Sequence, residues 1–167
     1  MQNGQSLQRE ILTLIEKNAK LTAKEIAVYL GAEESAVSAE IAALEKARVI
    51  CGYGTLINWE LTDDESLTAL IEVKVTPARG KGFSSIAERI YSFDEVKSVY
   101  LMSGGYDLAV IIEGKSLKDI SMFVSDKLSP LESVLSTATH FVLKKYKDHG
   151  VVFGGREQGD ERMIVSP

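Results

Sequence analysis

Leu7, Ile11, Leu14 and Ile15 recur three and four residues apart, the spacing that turns one face of a helix inward. It predicts a first helix that starts near Ser6 as N-cap and ends at Asn18-Ala19-Lys20. A second, shorter helix follows over Leu21 to Leu30. Thr22 caps it, Glu25 stands three residues on at capping-box spacing, and Gly31 closes it. Glu33 to Ala47 forms a third helix that gathers Val37, Ile41 and Leu44 on one side. Three such faces can close a small core together, although no one of them could alone. Two short amphipathic helices joined by a Gly-containing turn form a helix-turn-helix. From Val49 to Trp59 the pattern becomes β-like, through Val49, Ile50, Tyr53, Leu56, Ile57 and Trp59. That predicts a wing-type strand which also links the two halves of the chain. The polar, acidic stretch Thr62-Asp63-Asp64-Glu65-Ser66 then marks a boundary.

Beyond it, strand and helix periods alternate. Leu67 to Thr76 is expected as a strand, stopped by Pro77 and the basic Arg79-Gly80-Lys81-Gly82 loop. Phe83 to Phe93 is expected as a helix with Phe83, Ile86, Ala87 and Ile90 inward. Val96 to Met102 and Tyr106 to Ile112 are strands joined by a tight turn at Gly104-Gly105. Leu117 to Leu128 is a helix carrying Leu117, Ile120, Phe123, Val124 and Leu128 on one side, and Val134 to Lys144 is the last strand. The order β-α-β-β-α-β is that of a ferredoxin-like unit, one four-stranded sheet with both helices on one face. The other face stays open, with Thr137, Thr139 and Phe141 alternating with Ala138, His140 and Val142, and is a candidate dimer surface. The fold class is therefore α+β: a winged helix-turn-helix with linker at 1–60, a ferredoxin-like domain at 66–147, and a tail at 148–167 without apolar period.

Composition narrows the functions. At 167 residues, 45% hydrophobic and 26% charged, the chain has the make-up of a soluble globular protein of two small domains. No apolar run reaches the ~18 residues of a membrane span, and the polar start Met1-Gln2-Asn3-Gly4-Gln5 is unlike a signal peptide. A cytoplasmic protein is expected. The single cysteine, Cys51, lies between Ile50 and Gly52 and is expected as a buried thiol. With only His140 and His149 beside it, no metal ligand set is in view, and neither histidine has a partner at catalytic spacing. No phosphate-binding glycine motif follows a strand, and the glycines of the 79–82 loop do not supply one. No enzyme, no metal and no cofactor is expected.

Charge complicates the helix-turn-helix. The net charge is −5, and within residues 1–60 eight Glu oppose six Lys and Arg, a balance of −2. A module that grips phosphates ordinarily carries the opposite sign. The outer face of the third helix reads as Glu34, Ser35, Ser38, Ala39, Glu40, Ala42 and Ala43, with no arginine for a guanine, and Glu40 would repel the backbone. Two functions from different classes stay open: a DNA-reading regulator, and a sensor or scaffold oligomer whose acidic helix no longer reads DNA.

Several local matches then point to a family. Ala36-Val37-Ser38 and Leu44-Glu45-Lys46, ending in Val49-Ile50-Cys51-Gly52-Tyr53, resemble the recognition helix and following strand of the Lrp/AsnC family. Ser103-Gly104-Gly105-Tyr106-Asp107 resembles that family's Gly-Asp-Tyr-Asp turn. Ser136-Thr137-Ala138-Thr139 and Phe141-Val142-Leu143-Lys144 resemble its last strand. The resemblance runs from about residue 6 to 147. It implies a leucine-responsive, or feast/famine, transcription regulator whose second domain is of the RAM type. Such regulators bind double-stranded DNA as homodimers that often assemble into tetramers or octamers. They bind an amino acid or related metabolite at contacts between dimers. Gly105 stands where relatives usually carry Asp, which bears on the identity of any effector.

The candidate residues follow from these readings. For DNA they are Glu34, Ser35, Ser38, Ala39, Ala42 and Lys46 of the third helix, with Lys24 and Arg48 as flanking phosphate contacts. For an amino-acid-like effector they are Met102, Ser103, Gly104, Gly105, Tyr106 and Asp107, with Ser136, Thr137 and Thr139 of the last strand. Backbone N–H groups of the glycine turn suit a carboxylate, and Asp107 suits an α-ammonium group. The same residues also make an ordinary β-turn, with Asp107 as a local cap.

Overall fold

The computed structural model describes residues 2–63, 66–76 and 82–153. The chain forms two compact units, 1–57 and 58–167.

The first unit is three helices: α1 (Gln2–Lys17), α2 (Ala23–Leu30) and α3 (Glu34–Lys46). α1 begins before Ser6, which lies inside the helix and donates from its hydroxyl to Glu10 Oε1 at 3.1 Å instead of capping. α2 is fixed at both ends. The Thr22 hydroxyl accepts from the Glu25 N–H, and the Glu25 carboxylate accepts from the Thr22 N–H, the complete capping box. At the other end Gly31 takes φ 62°, and the Ala32 N–H reaches back to the Ala27 carbonyl at 3.0 Å. These two caps set the tight turn into α3. Ile11, Ile26, Ala27, Val37, Leu44 and Ile50 are buried together, with Leu7, Leu14, Ile15 and Ile41 packed around them.

After Ile50 no strand forms. Residues 51–58 have no regular secondary structure, and a single 3-10 turn spans Trp59–Leu61. The β-like composition was misleading because a strand needs a ladder, and no other segment of this unit is extended beside it. Tyr53, Leu56, Ile57 and Trp59 are left exposed. Cys51 is exposed too, contrary to expectation, its thiol donating to the Arg48 carbonyl.

The second unit is built on β1 (Leu67–Val75), followed by α4 (Ser84–Tyr91), β2 (Val96–Leu101), β3 (Leu108–Gly114), α5 (Leu117–Met122) and β4 (Val134–Phe141). The antiparallel sheet has the order β2-β3-β1-β4. Ala69, Ile71 and Val73 of β1, with Leu108, Val110 and Ile112 of β3, face Ile86 and Ile90 of α4 and Ile120, Phe123 and Leu128. α5 continues into a wider π-helical turn, Phe123–Leu128. Leu128 is five residues after Phe123, and only a widened turn returns both to the sheet. Leu117, expected inward, sits at the first helical position and is exposed. Gly114 leaves room for Ile120: a Cβ there would stand 3.1 Å from Ile120 Cγ1, which would have to shift by a few tenths of an ångström.

Two other expectations change. β3 starts at Leu108 and not at Tyr106, so β2 and β3 are joined by the six residues Met102 to Asp107, a broader loop than a tight two-glycine turn. Residues past β4 are ordered as a small hairpin, β5 (Lys147–Asp148) with β6 (Val151–Val152), and Asn58 Nδ2 donates to the Phe153 carbonyl at 3.0 Å. The tail from Gly154 onward and residues 77–81 lie outside the described residues.

Lys127 of the π-helical turn pairs with Glu95 ahead of β2 and lies 5.6 Å from the Phe93 ring centroid. The Lys127 ammonium holds the Glu95 carboxyl below the usual carboxylate range. A depressed native pKa gives stability that is present above the unfolded value, ~4.3, and is lost as pH falls through the native one. Lys127→Met should therefore lower the urea midpoint at pH 7, with the gap to the natural protein narrowing below pH ~4. The cation–ring contribution remains as a pH-independent residue, read by urea titrations at pH 3 to 7.

Candidate functional site

The first candidate surface lies on α3. Val37 and Leu44 are buried and Ile41 is half-buried, so the ridge on the opposite side carries Ser35, Ala39, Ala42 and Lys46, all exposed. Glu34 and Ser38 are exposed beside it, as are Lys24 on α2 and Arg48 just past α3. Glu40, read from sequence as part of the outer face, is not. It stands three residues after Val37 and four before Leu44, hence on the flank of the buried face. There it is half-buried, accepting from the Gln8 side-chain amide of α1.

Glu45 is also engaged. The Tyr53 hydroxyl donates to Glu45 Oε1 at 2.8 Å, and that carboxylate raises the Tyr53 pKa because it holds the hydroxyl proton. Glu25 is held below the usual range by the Thr22 N–H and hydroxyl. Beside the ridge, Ser38, Ala42, Glu45 and Tyr53 rim a hollow of about 350 Å³ whose floor is Ile15, Leu21 and Ile41. Gln8 and Tyr53 were missed by the sequence reading. Gln8 lies 32 residues from Glu40, and Tyr53 meets Glu45 across a chain reversal, so no periodic signal marks either.

The reversal is itself unusual. Arg48 sits at φ 60°, and the N–H groups of Arg48 and Val49 return to the carbonyls of Glu45 and Leu44. This is the left-handed helix ending for which glycine is the ordinary residue. Here an exposed guanidinium occupies it.

The second candidate surface is the Met102–Asp107 loop. The Met102 N–H donates to the Asp107 carbonyl at 2.8 Å and closes the loop. The Asp107 N–H donates to the Val73 carbonyl at 3.1 Å, and Asp107 Oδ2 accepts from the Val75 N–H at 2.9 Å. Asp107 thus fastens the loop to the end of β1. Met102, Ser103, Gly104 and Gly105 are exposed, while Tyr106 and Asp107 are half-buried. A Cβ added at Gly104 or Gly105 would meet nothing within 4 Å; Gly104 is held by its backbone, at φ 157°, and Gly105 by neither packing nor φ.

β4 runs along the other side of β1. Thr137 is opposite Val73, Thr139 opposite Ile71 and Ser136 opposite Lys74. Asp107 and Thr137 therefore flank the same stretch of β1, about two strand spacings, ~10 Å, apart. Thr137 and Thr139 share the helix-covered face with Val73 and Ile71, and Ser136 points to the open face. On that open face His140 Nε2 lies 3.3 Å from Glu72 Oε1. Among the described residues no group of three or more His, Cys, Asp or Glu is placed to hold a metal ion. No described helix is long and apolar enough to cross a membrane.

Comparison with known proteins places these surfaces in context. Residues 68–152 match the model of the Lrp/AsnC ligand binding domain. The chain is 52% identical over 161 residues to the HTH-type transcriptional regulator YugG of Bacillus subtilis, covering 95% of each. It is 36% identical over 143 residues to an HTH-type transcriptional regulator of Pyrococcus furiosus, covering 85% of this chain and 93% of the relative. Among solved structures, a Neisseria meningitidis transcriptional regulator in complex with L-Met superposes with TM-score 0.69 at 25% identity, over 85% of this chain and 91% of that one. The Mycobacterium tuberculosis leucine response regulatory protein superposes with TM-score 0.73 at 20% identity, over 89% and 98%, and shows the shared fold.

The left-handed Arg48 generates a prediction. A β-carbon in that conformation costs about 1 kcal/mol relative to glycine. Arg48→Gly should stabilise the first unit by up to ~1 kcal/mol in urea denaturation, and a loss of stability would show that the guanidinium makes a compensating contact.

Proposed function

The chain belongs to the Lrp/AsnC family of transcriptional regulators, and from that premise we propose that it reads double-stranded DNA with α3 and answers to an amino-acid-like effector through the Met102–Asp107 loop. As a regulator it is not an enzyme. The observation that carries the DNA reading is the ridge Ser35, Ala39, Ala42, Lys46. It is small, uncharged along most of its length and free of Glu40. Small side chains let the helix axis sit close to base edges. Alanine methyls suit thymine methyl groups, serine hydroxyls suit base edges or phosphates, and Lys46 ends the ridge with a cation. Lys24 and Arg48 supply flanking phosphate contacts. The protein acts in the cytoplasm, where such DNA is found.

Exposed apolar groups support assembly. Tyr53, Leu56, Ile57 and Trp59 are exposed, and Leu70 and Ile111 are only half-buried on the sheet's open face. The assembly is a homodimer that builds to a tetramer or octamer. Linking weak modules raises affinity by ~10²–10⁴ when DNA contacts several at once, which offsets the scarcity of arginine.

For the effector, glycines that packing does not require leave the loop's N–H groups open to a carboxylate, and Asp107 lies beside them. The L-Met complex of the Neisseria regulator supports the amino-acid class. Met102, Ser103 and Tyr106 belong to the same loop; across β1, Thr137 and Thr139 lie on the helix-covered face and Ser136 on the open one. The excess of Glu over Lys and Arg in the first unit favours the second reading, a sensor or scaffold oligomer without DNA binding.

Fluorescence anisotropy of a labelled duplex from upstream of the protein's own gene separates the two. The natural protein should bind it more tightly than random duplex, with affinity falling steeply as salt rises. Lys46→Ala should lessen the slope of log affinity against log salt by ~1 per module, and Arg48→Gly should weaken binding. Binding no better than random duplex, with and without amino acids, would favour the scaffold. For the effector, Asp107→Asn keeps an acceptor for the Val75 N–H while removing the charge. It should fold and assemble normally yet lose any response to L-amino acids; an intact response would exclude Asp107 from the site.

A further inference from the structure

We propose that Gln8 and Tyr53 are positioning residues for DNA recognition, two neutral donors that hold Glu40 and Glu45 of α3 away from the phosphate strands on either side of that helix. The proposal rests on the DNA reading above.

A helix lying in a groove presents its outer ridge to the bases and its two flanks to the phosphate walls. On α3 the ridge is neutral up to Lys46, and the flanks carry the acids. Glu40 is on the flank toward α1, and Glu45 is on the flank toward the segment that follows α3. Each carboxylate meets an uncharged partner: the Gln8 side-chain amide for Glu40, the Tyr53 hydroxyl for Glu45 at 2.8 Å. Among the described residues no lysine or arginine pairs with either, which leaves Lys24, Lys46 and Arg48 to phosphates. The third acid, Glu34, lies in the first turn of α3, where the helix dipole favours negative charge.

The partners do not change the charge count, so they act by geometry alone. A carboxylate released from Gln8 or Tyr53 can swing toward a phosphate wall, where repulsion is felt over about a Debye length, ~8 Å at physiological salt. Gln8 and Glu40 are both half-buried, so their bond lies within the α1–α3 packing. Tyr53 is half exposed, and its ring also rims the hollow that Ser38 and Ala42 border. The acids that make the first unit look unfit for DNA are thereby placed where they repel it least.

The test is a pair of charge-neutral substitutions in the full chain, Gln8→Ala and Tyr53→Phe. Each is measured by anisotropy on the upstream duplex and on random duplex of equal length, with urea denaturation to register any loss of folding. Each should weaken binding to both duplexes by ~3–10-fold at low salt, and the defect should shrink as salt screens the released carboxylate. Glu40→Gln should restore Gln8→Ala, and Glu45→Gln should restore Tyr53→Phe, while either glutamine in the natural background changes binding much less. A purely structural role would leave the loss unrescued and insensitive to salt, and would overturn the proposal. So would a gain from Glu40→Gln that is as large with Gln8 present as without it, since Glu40 would then face DNA throughout. Unchanged affinity of both single variants, with the natural protein binding normally, refutes the clamps alone; failure of the natural protein to bind either duplex refutes the DNA reading and the clamps with it.

Discussion

The second unit depends on β1 being an interior strand in both directions at once. Its backbone pairs with β3 on one side and β4 on the other, and its alternate side chains Ala69, Ile71 and Val73 are completely buried under two helices. An alternation of that kind specifies register, since a slip of one residue would present Glu72 and Lys74 to the helices. With β1 fixed, everything near its end is fixed too. Val73 receives the Asp107 N–H at its carbonyl, and Val75 donates to the Asp107 carboxylate. The β2–β3 loop is thus attached to an interior strand of the sheet and is not a free connection. A loop held this way can offer its exposed glycines in a constant geometry, which is what recognition of a small charged molecule requires.

The first unit solves a different problem, the orientation of a helix by very few buried residues. Among the described residues, six buried side chains form the centre of its core. What makes the arrangement definite is the ending of each short helix: the reciprocal Thr22 and Glu25 bonds, the left-handed Gly31, and the left-handed Arg48. Each ending satisfies backbone groups that would otherwise be orphaned. Arg48 pays in backbone strain for a position where a cation stands at the close of α3. Strain of this kind persists where the surrounding structure over-determines it, and it clusters at functional sites.

Much of this was legible in the sequence. The capping box, Gly31, the three helical faces and the order of the six main elements all follow from local rules, because each depends on residues within a few positions of one another. Family resemblance added the regulator class. What was not legible depends on pairing across distance. The segment after Ile50 has the composition of a strand, yet strand formation is a property of two segments, and only one was present. Cys51 was misplaced for the same reason. The π-helical turn at Phe123–Leu128 could have been suspected from the five-residue gap between buried side chains, but a gap of that size equally suits a helix end. Glu40 was assigned to the outer face although its spacing from Val37 and Leu44 already put it on the flank.

With Glu40 on the flank of α3, the charge balance of the first unit bears differently on regulation. Net charge sets long-range attraction, whereas affinity at contact depends on which groups reach the phosphates. With Glu40 and Glu45 engaged at the flanks, one α3 module is neither repelled at its ridge nor strongly held by it. Under the proposed function such weakness has a use. A module that bound tightly alone would occupy its site in every assembly state, and an effector that changed assembly would change nothing. A module that binds weakly alone and well in numbers makes occupancy follow oligomeric state. In that proposal the small, neutral ridge on α3 and the firmly anchored loop at the end of β1 are complementary: the first would leave affinity to be decided by assembly, and the second would be where a small molecule decides it.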